Sequence, residues 1–365
     1  MDFSPTPSHD AGNPARAVRD EDAFDVAAVS AWLREHAAEG FRDTVAGDPE
    51  VRQFPGGASN LTYLLRYPDR DLILRRPPVG RKAAGAHDMG REHRIQTALA
   101  PVFALVPRMV GFCDDGSVLG SEFYVMEKLE GTIVRQDFPP SIDLSEDQAS
   151  QLCRNVVDVL ISLHQVDTTR PDIAAFGKGE GYVARQVDGW SKRFRAARTD
   201  GVGDYERVMA WLDEHQPADV ATRVIHNDFR LDNLVLDPHD PLRVIGMLDW
   251  EMATLGDPLM DLGGAMAYWI EPDDDEFSQL FRRQPTTAPG MWSRAQVVAH
   301  YCTRMGFEMT PERWRFYDVF GMFRLAVIAQ QIYYRYVNGQ TTNEAFAVFG
   351  DAVTHLEKRC EAVIS

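Results

Sequence analysis

Hydrophobic and polar positions follow two rhythms along this chain. Val26, Val29, Trp32 and Leu33 recur at helical spacing in "DVAAVSAWLREHAA" (25–38), which predicts an amphipathic helix. The rhythm then shortens. Leu61, Tyr63 and Leu65 alternate, and "VRQFPGGASNLTYLLRY" and "DLILRRPP" read as strands around turns. "HDMGREHRIQTALA" returns to a helical pattern, and "VPRMVGFCDDGSVLGSEFYVMEKLEG" predicts two more strands separated by an Asp-Asp-Gly turn. From "DLSEDQASQLCRNVVDVLISLHQV" (143–166) onward helical spacing dominates, and Ser145 with Gln148 predicts a capping box. Residues 1–20 are rich in Pro, Ser, Asp and Ala without apolar periodicity, the texture of a mobile tail. The expected division is therefore a tail (1–20), a β-rich lobe with a leading helix (21–130) and a helical lobe (131–365), joined near Gly131.

Composition narrows the function classes. A chain of 365 residues that is 44% hydrophobic can bury a substantial core. Its formal charge of -17 repels phosphate backbones, so nucleic acid is not expected as a partner. Cys113, Cys153, Cys302 and Cys360 lie far apart and form no CxxC, which argues against a zinc site or disulfide framework and for a reducing, cytoplasmic setting. "MDFSPTPSHD" offers no apolar signal segment. "GMFRLAVIAQQIYY" is interrupted by Arg324 and reads as a buried or amphipathic helix, so no membrane association is expected. Oligomeric state is not legible.

The chemistry concentrates in "VIHNDFRLDNLVLD" (224–237). Four residues separate Asp228 from Asn233, and Asp249 follows sixteen residues after Asn233, at the end of "VIGMLDWE". Alone, an Asp before an apolar run is more often a turn or a cap. In this order and spacing the three residues supply what phosphoryl transfer needs. Asp228 can orient the attacking hydroxyl, while Asn233 and Asp249 offer oxygen ligands to the Mg²⁺ that bridges nucleotide phosphates. Arg230 stands two residues beyond Asp228, where it can offset charge on the transferring phosphate. His226 reads as a structural residue bonding the backbone of the bend.

"VIHNDFRLDNLVLD" followed by "VIGMLDWEMATLGDPLMDLG" resembles the aminoglycoside phosphotransferase and choline kinase superfamily over roughly residues 45–340. That family's loop usually reads H-G-D-x-x-x-x-N; Asn227 stands at the glycine here. "FPGGASNLTYLL", "LILRRPP", "REHRI", "FYVMEKLEG", "GYVARQVDGW" and "LDWEMATLGDP" point to the branch related to kinase-like domains fused to acyl-CoA dehydrogenases. The resemblance implies an α+β, protein-kinase-like fold of two lobes, with ATP and Mg²⁺ as cofactors and a small-molecule acceptor as the other partner. It implies that Gly56, Gly57, Ser59 and Asn60 form a phosphate-facing turn. Arg75 stands where such folds usually carry lysine, with Glu92 as its ion-pair partner. Glu127 to Leu129 would meet the adenine, Met126 would guard the pocket, and Asp261 would brace the catalytic loop.

Two charged segments compete to cover the acceptor. "GYVARQVDGWSKRFRAAR" carries Arg185, Lys192, Arg193, Arg195 and Arg198 against one acid; "EPDDDEF" carries five acids. The first favours an anionic hydroxylated metabolite or hydroxyacyl thioester, the second a polycation such as an aminoglycoside. A solvated helix face explains either equally simply. A nucleotide-binding pseudokinase acting as a regulatory module is the alternative from another class; Asp228, Asn233 and Asp249 speak against it and Arg75 for it.

Overall fold

The computed structural model describes residues 15–55, 60–78, 88–341 and 343–365. Its first part is built on a sheet of β1 (Glu50–Gln53), β2 (Leu61–Arg66), β3 (Asp71–Arg76), β4 (Met109–Cys113) and β5 (Phe123–Glu127). The order is β1-β2-β3-β5-β4, antiparallel throughout. Strand alternation sends Tyr63, Leu65, Leu72 and Leu74 to one face, where they pack against α1 (Val26–His36) through Val29 and Leu33. Truncating a buried leucine such as Leu33 to alanine would cost about 2–5 kcal/mol. α2 (Met89–Leu99) is N-capped by the Asp88 carboxylate, which accepts from Arg91 N.

The Asp-Asp-Gly turn expected between β4 and β5 is a one-turn helix, α3 (Gly116–Leu119), capped by Asp115. The sequence placed Ala15 to Asp20 in a mobile tail. They lie instead against the sheet: Arg16 and Gln53 exchange backbone hydrogen bonds at 2.8 Å, and Ala15 is buried. A short segment that satisfies a strand edge in this way leaves no periodicity to read.

The remainder is mainly helical: α4 (Glu146–His164), α5 (Pro171–Ala174), α6 (Tyr182–Ala197), α7 (Glu206–Glu214), α8 (Pro258–Met266), α9 (Glu276–Leu280), α10 (Arg294–Met305), α11 (Pro311–Val337) and α12 (Phe349–Ile364). Ser145 and Gln148 form the expected capping box of α4. Two small ladders interrupt the helices. β6 (Arg223–Ile225) pairs with β9 (Thr254–Gly256), and β7 (Leu234–Leu236) pairs with β8 (Val244–Met247). After β5 the chain crosses to the helical part. Thr132 and Leu236 exchange backbone hydrogen bonds there at 2.9 and 2.8 Å, and a Cβ on Gly131 would lie 2.4 Å from Leu236 O, so only glycine permits the approach. This is the α+β architecture of two lobes expected from the sequence. No described helix is long and apolar enough to cross a membrane.

Candidate active site

The bend between β6 and β7 is held from behind. Asn227 adopts φ 64°, a left-handed conformation that turns the chain sharply. Asp261, on α8 and buried, accepts the N–H groups of His226 at 2.7 Å and Asn227 at 2.8 Å, while His164 Nε2 lies 3.1 Å from the same carboxylate. Burial alone would raise this carboxyl, but hydrogen bonds and charge from His164 and His226 outweigh it and hold Asp261 below the usual carboxylate range. The two ring nitrogens of His226 face the backbone: Asp228 N donates to Nδ1 at 3.3 Å and Nε2 lies 3.0 Å from Leu248 O. His226 thus ties the bend to the end of β8.

On the open side, Asn233 Nδ2 donates to Asp228 Oδ2 at 2.9 Å and to Asp228 O at 2.8 Å. Arg230 Nη1 donates to Asp228 Oδ1, and its Nε donates to Asp232 Oδ1 at 2.7 Å. Burial works against the Arg230 charge, but Asp228 and Asp232 more than offset it, so the guanidinium stays firmly protonated. Arg230 is therefore engaged by two carboxylates and lies over the Tyr268 ring at 4.8 Å. Strand register brings the next pair together. β7 and β8 pair Leu234 with Met247, and Leu248 N donates to Asn233 O at 2.8 Å, so Asp249 emerges beside Asn233. Asp249 also has positive φ, 67°, and its buried Oδ1 carries no hydrogen bond.

Arg75 reaches across from β3. Its Nη2 lies 3.5 Å from Asp249 Oδ1, and its Nη1 donates to Glu92 Oε1 at 2.5 Å. Burial lowers the Arg75 pKa, yet Glu92, Tyr124 and Asp249 carry it above the usual value. Burial pushes the Glu92 carboxyl up, with Arg75 opposing, and the Tyr124 hydroxyl donates to it at 2.8 Å. The pair is interior, with side-chain exposures of 12% and 1%, so it is no surface ion pair. Asn60 Nδ2 donates to Glu251 Oε2 at 3.3 Å, and Arg91 donates to the carbonyls of Glu251 at 2.8 Å and of Ala253. Glu127 ends β5, with its N–H on Arg108 O and its carboxylate on Arg108 N and Nε, all at 2.9 Å. Leu129 sits on Gly246, where a Cβ would come within 2.0 Å of its Cδ1. Gly56, Gly57 and Ser59 lie outside the described residues.

Residues 50–297 match the model of the phosphotransferase enzyme family. The chain belongs to that family. The chain is 38% identical over 298 residues to mouse acyl-CoA dehydrogenase family member 10, covering 81% of this chain and 27% of that relative's length. It is 32% identical to a solved Ralstonia eutropha protein provisionally named an aminoglycoside phosphotransferase, with a TM-score of 0.78 and coverage of 93% of this chain and 98% of the other. It shares the fold alone with a thermostable mutant of aminoglycoside phosphotransferase APH(4)-Ia solved with AMP-PNP and hygromycin B (17% identity, TM-score 0.56, coverage 92% and 98%).

Neither charged segment of the chain is an open charged wall. The five bases of α6 and its end are exposed: Arg195 pairs with Glu206 at 2.6 Å, Lys192 with Asp188 at 2.8 Å, Arg193 stacks on Trp190, and Arg185 donates to the carbonyls of Gly179 and Glu180. This is the solvated face. In "EPDDDEF", Glu271 and Asp274 pair with Arg294 at 2.7 and 2.6 Å, and Asp275 caps α9. The sequence reading missed Tyr182, whose hydroxyl donates to Asn227 Oδ1 at 3.0 Å, and Arg324, whose Nη2 donates to Asn227 O at 2.5 Å. It missed Arg135 and Arg283 as well, which approach Asp232 from distant segments. The one available signal was Arg324 interrupting an apolar run.

Proposed function

We propose that this chain is an ATP- and Mg²⁺-dependent O-phosphotransferase acting on a hydroxyl of a small anionic metabolite, a hydroxyacyl thioester being one such acceptor. The observation that carries the proposal is that Asn233 bonds Asp228, that the chain after β8 pairs with Asn233 just before Asp249, and that Arg75 reaches Asp249 from the opposite lobe. The donor set suits the metal. Asp249 presents a buried oxygen without a hydrogen bond, and Asn233 spends its amide nitrogen on Asp228, which leaves the amide oxygen for a hard cation. Among the described residues no cluster of three or more His, Cys, Asp or Glu could hold a metal. Two oxygen ligands suffice for Mg²⁺ carried on nucleotide phosphates.

Mg²⁺·ATP would supply the transferable phosphoryl group and neutralise its charge. The chain's own residues would do the rest. Asp228 orients the acceptor hydroxyl and takes its proton; Arg230 and Asn233 fix that carboxylate from two sides. Arg75, held by Glu92, supplies the positive fork usually supplied by lysine. On this reading residues 21–130 serve the nucleotide and 131–365 the acceptor, in a cytoplasmic protein whose four buried cysteines stay reduced. An antibiotic kinase would want an acidic cleft, and Glu271, Asp274 and Asp275 of "EPDDDEF" are engaged elsewhere. A metabolite-library screen for ATP consumption, with mass detection of product, tests the proposal. A hydroxylated anion gaining one phosphoryl group is expected; selective phosphorylation of aminoglycosides, or nucleotide binding without transfer to any compound, would overturn it.

A further inference from the structure

Asp232 is a buried carboxylate with 2% side-chain exposure, and three arginines converge on it. Arg230 Nε donates to Oδ1 at 2.7 Å, whereas Arg283 Nη2 and Arg135 Nη1 stand 3.4 and 3.9 Å from Oδ2. One carboxylate cannot satisfy three guanidinium groups. Arg230 shares its charge with Asp228, but Arg135 and Arg283 keep 39% and 56% of their side chains exposed. Arg324 adds a fourth positive charge beside the same bend. Counting Asp261, which faces the same bend, four arginines thus stand against three carboxylates at the catalytic loop of an acidic chain.

The two open arginines are held in place. Arg282 donates to Gln136 O and, at 2.7 Å, to Asp137, which fastens the segment carrying Arg283 to the one carrying Arg135. Buried Gln284 accepts from Leu231 N at 2.8 Å and donates to Tyr268 O at 3.2 Å, which fastens both to the catalytic bend. Burial pulls the Arg135 pKa down; Asp232 opposes this, and repulsion from Arg283 and Arg230 adds to it.

We infer that Arg135 and Arg283 form an anion clamp in the acceptor cleft, receiving a carboxylate or phosphate of the molecule whose hydroxyl Asp228 orients. This deepens the proposed O-phosphotransfer and rests on it. Two guanidinium groups gathered at one carboxylate oxygen suit oxyanion binding, and a bound anion relieves the repulsion between the two.

The test is calorimetry on the full chain with ADP and Mg²⁺ present. The probes are matched sets of hydroxylated carboxylates, phosphate monoesters, methyl esters and amines on common carbon skeletons. Wild type should bind at least one anion in preference to its ester and amine. Arg283→Glu and Arg135→Glu should each weaken that binding about tenfold or more, the weight of a charge-assisted hydrogen bond, with ADP affinity kept. Carboxylate against phosphate ester as the better ligand names the group received. Preference for amines or esters, no binding by any anion, or wild-type anion affinity in both variants would overturn the clamp. Anion binding that depends on the arginines, without phosphoryl transfer to any bound anion, would instead sink the proposed reaction and leave the clamp standing.

Discussion

Asn227 carries a backbone conformation that a glycine adopts without cost. Its φ of 64° strains an ordinary L residue by about 1–2 kcal/mol. The side chain offsets the strain by accepting from Tyr182 and donating to Met252 O at 3.1 Å. Asn227→Ala keeps the strain and loses both bonds, so it should lower stability by about 2–3 kcal/mol. Asn227→Gly loses the bonds but relieves the strain, and should cost about 1 kcal/mol. Urea unfolding compares the two with wild type; equal midpoints for the two variants would mean that strain does not matter, and wild-type midpoints for both that the bonds do not. At this scale the sequence singled out Asp228 and Asn233, because their spacing is local. It gave no sign that Arg324 holds Asn227 O, because that contact joins positions 97 residues apart through tertiary packing.

The elements were legible where their signals are local. The 3.6-residue rhythm of 25–38 and the Ser145 capping box each lie within a single helix, and both correspond to observed helices. The β7–β8 register that delivers Asp249 to Asn233 depends on pairing across a hairpin, and alternation could not fix it. Asp261 then ties three elements together: α8, the bend after β6, and α4 through His164. Its pKa is lowered in the folded state, so it contributes stability above the unfolded value near 4 and loses that contribution as pH falls through its lower folded value. Wild-type unfolding midpoints should therefore drop as pH falls below about 4, and Asp261→Asn should be less stable at pH 7 with a shallower acid slope. Parallel acid slopes would show that the Asp261 charge does not hold the loop. Ser145→Ala should cost about 1 kcal/mol with turnover unchanged, since α4 is capped far from the cleft.

Across the whole molecule the two lobes meet through charge. Arg75 faces Asp249, and Arg91 on α2 grips the turn after Asp249 by two backbone carbonyls. A cation held by Asn233 and Asp249 would sit within that bridge. Asp249→Asn should therefore weaken the Mg²⁺-dependent part of ATP binding while leaving metal-free binding near wild type, as nucleotide titrations with and without Mg²⁺ would report. A full Mg²⁺ effect in the variant would put the metal elsewhere. The central claim is phosphoryl transfer oriented by Asp228, and isotope transfer measures it most directly. ATP labelled with ¹⁸O in its γ-phosphate is incubated with the acceptor found by screening, using wild type and Asp228→Asn, and the product is weighed by mass spectrometry. The account predicts labelled phosphate on the acceptor hydroxyl with wild type, and a rate lower by roughly 10²-fold or more in Asp228→Asn with ATP affinity intact. Near-normal transfer of label by Asp228→Asn would contradict it.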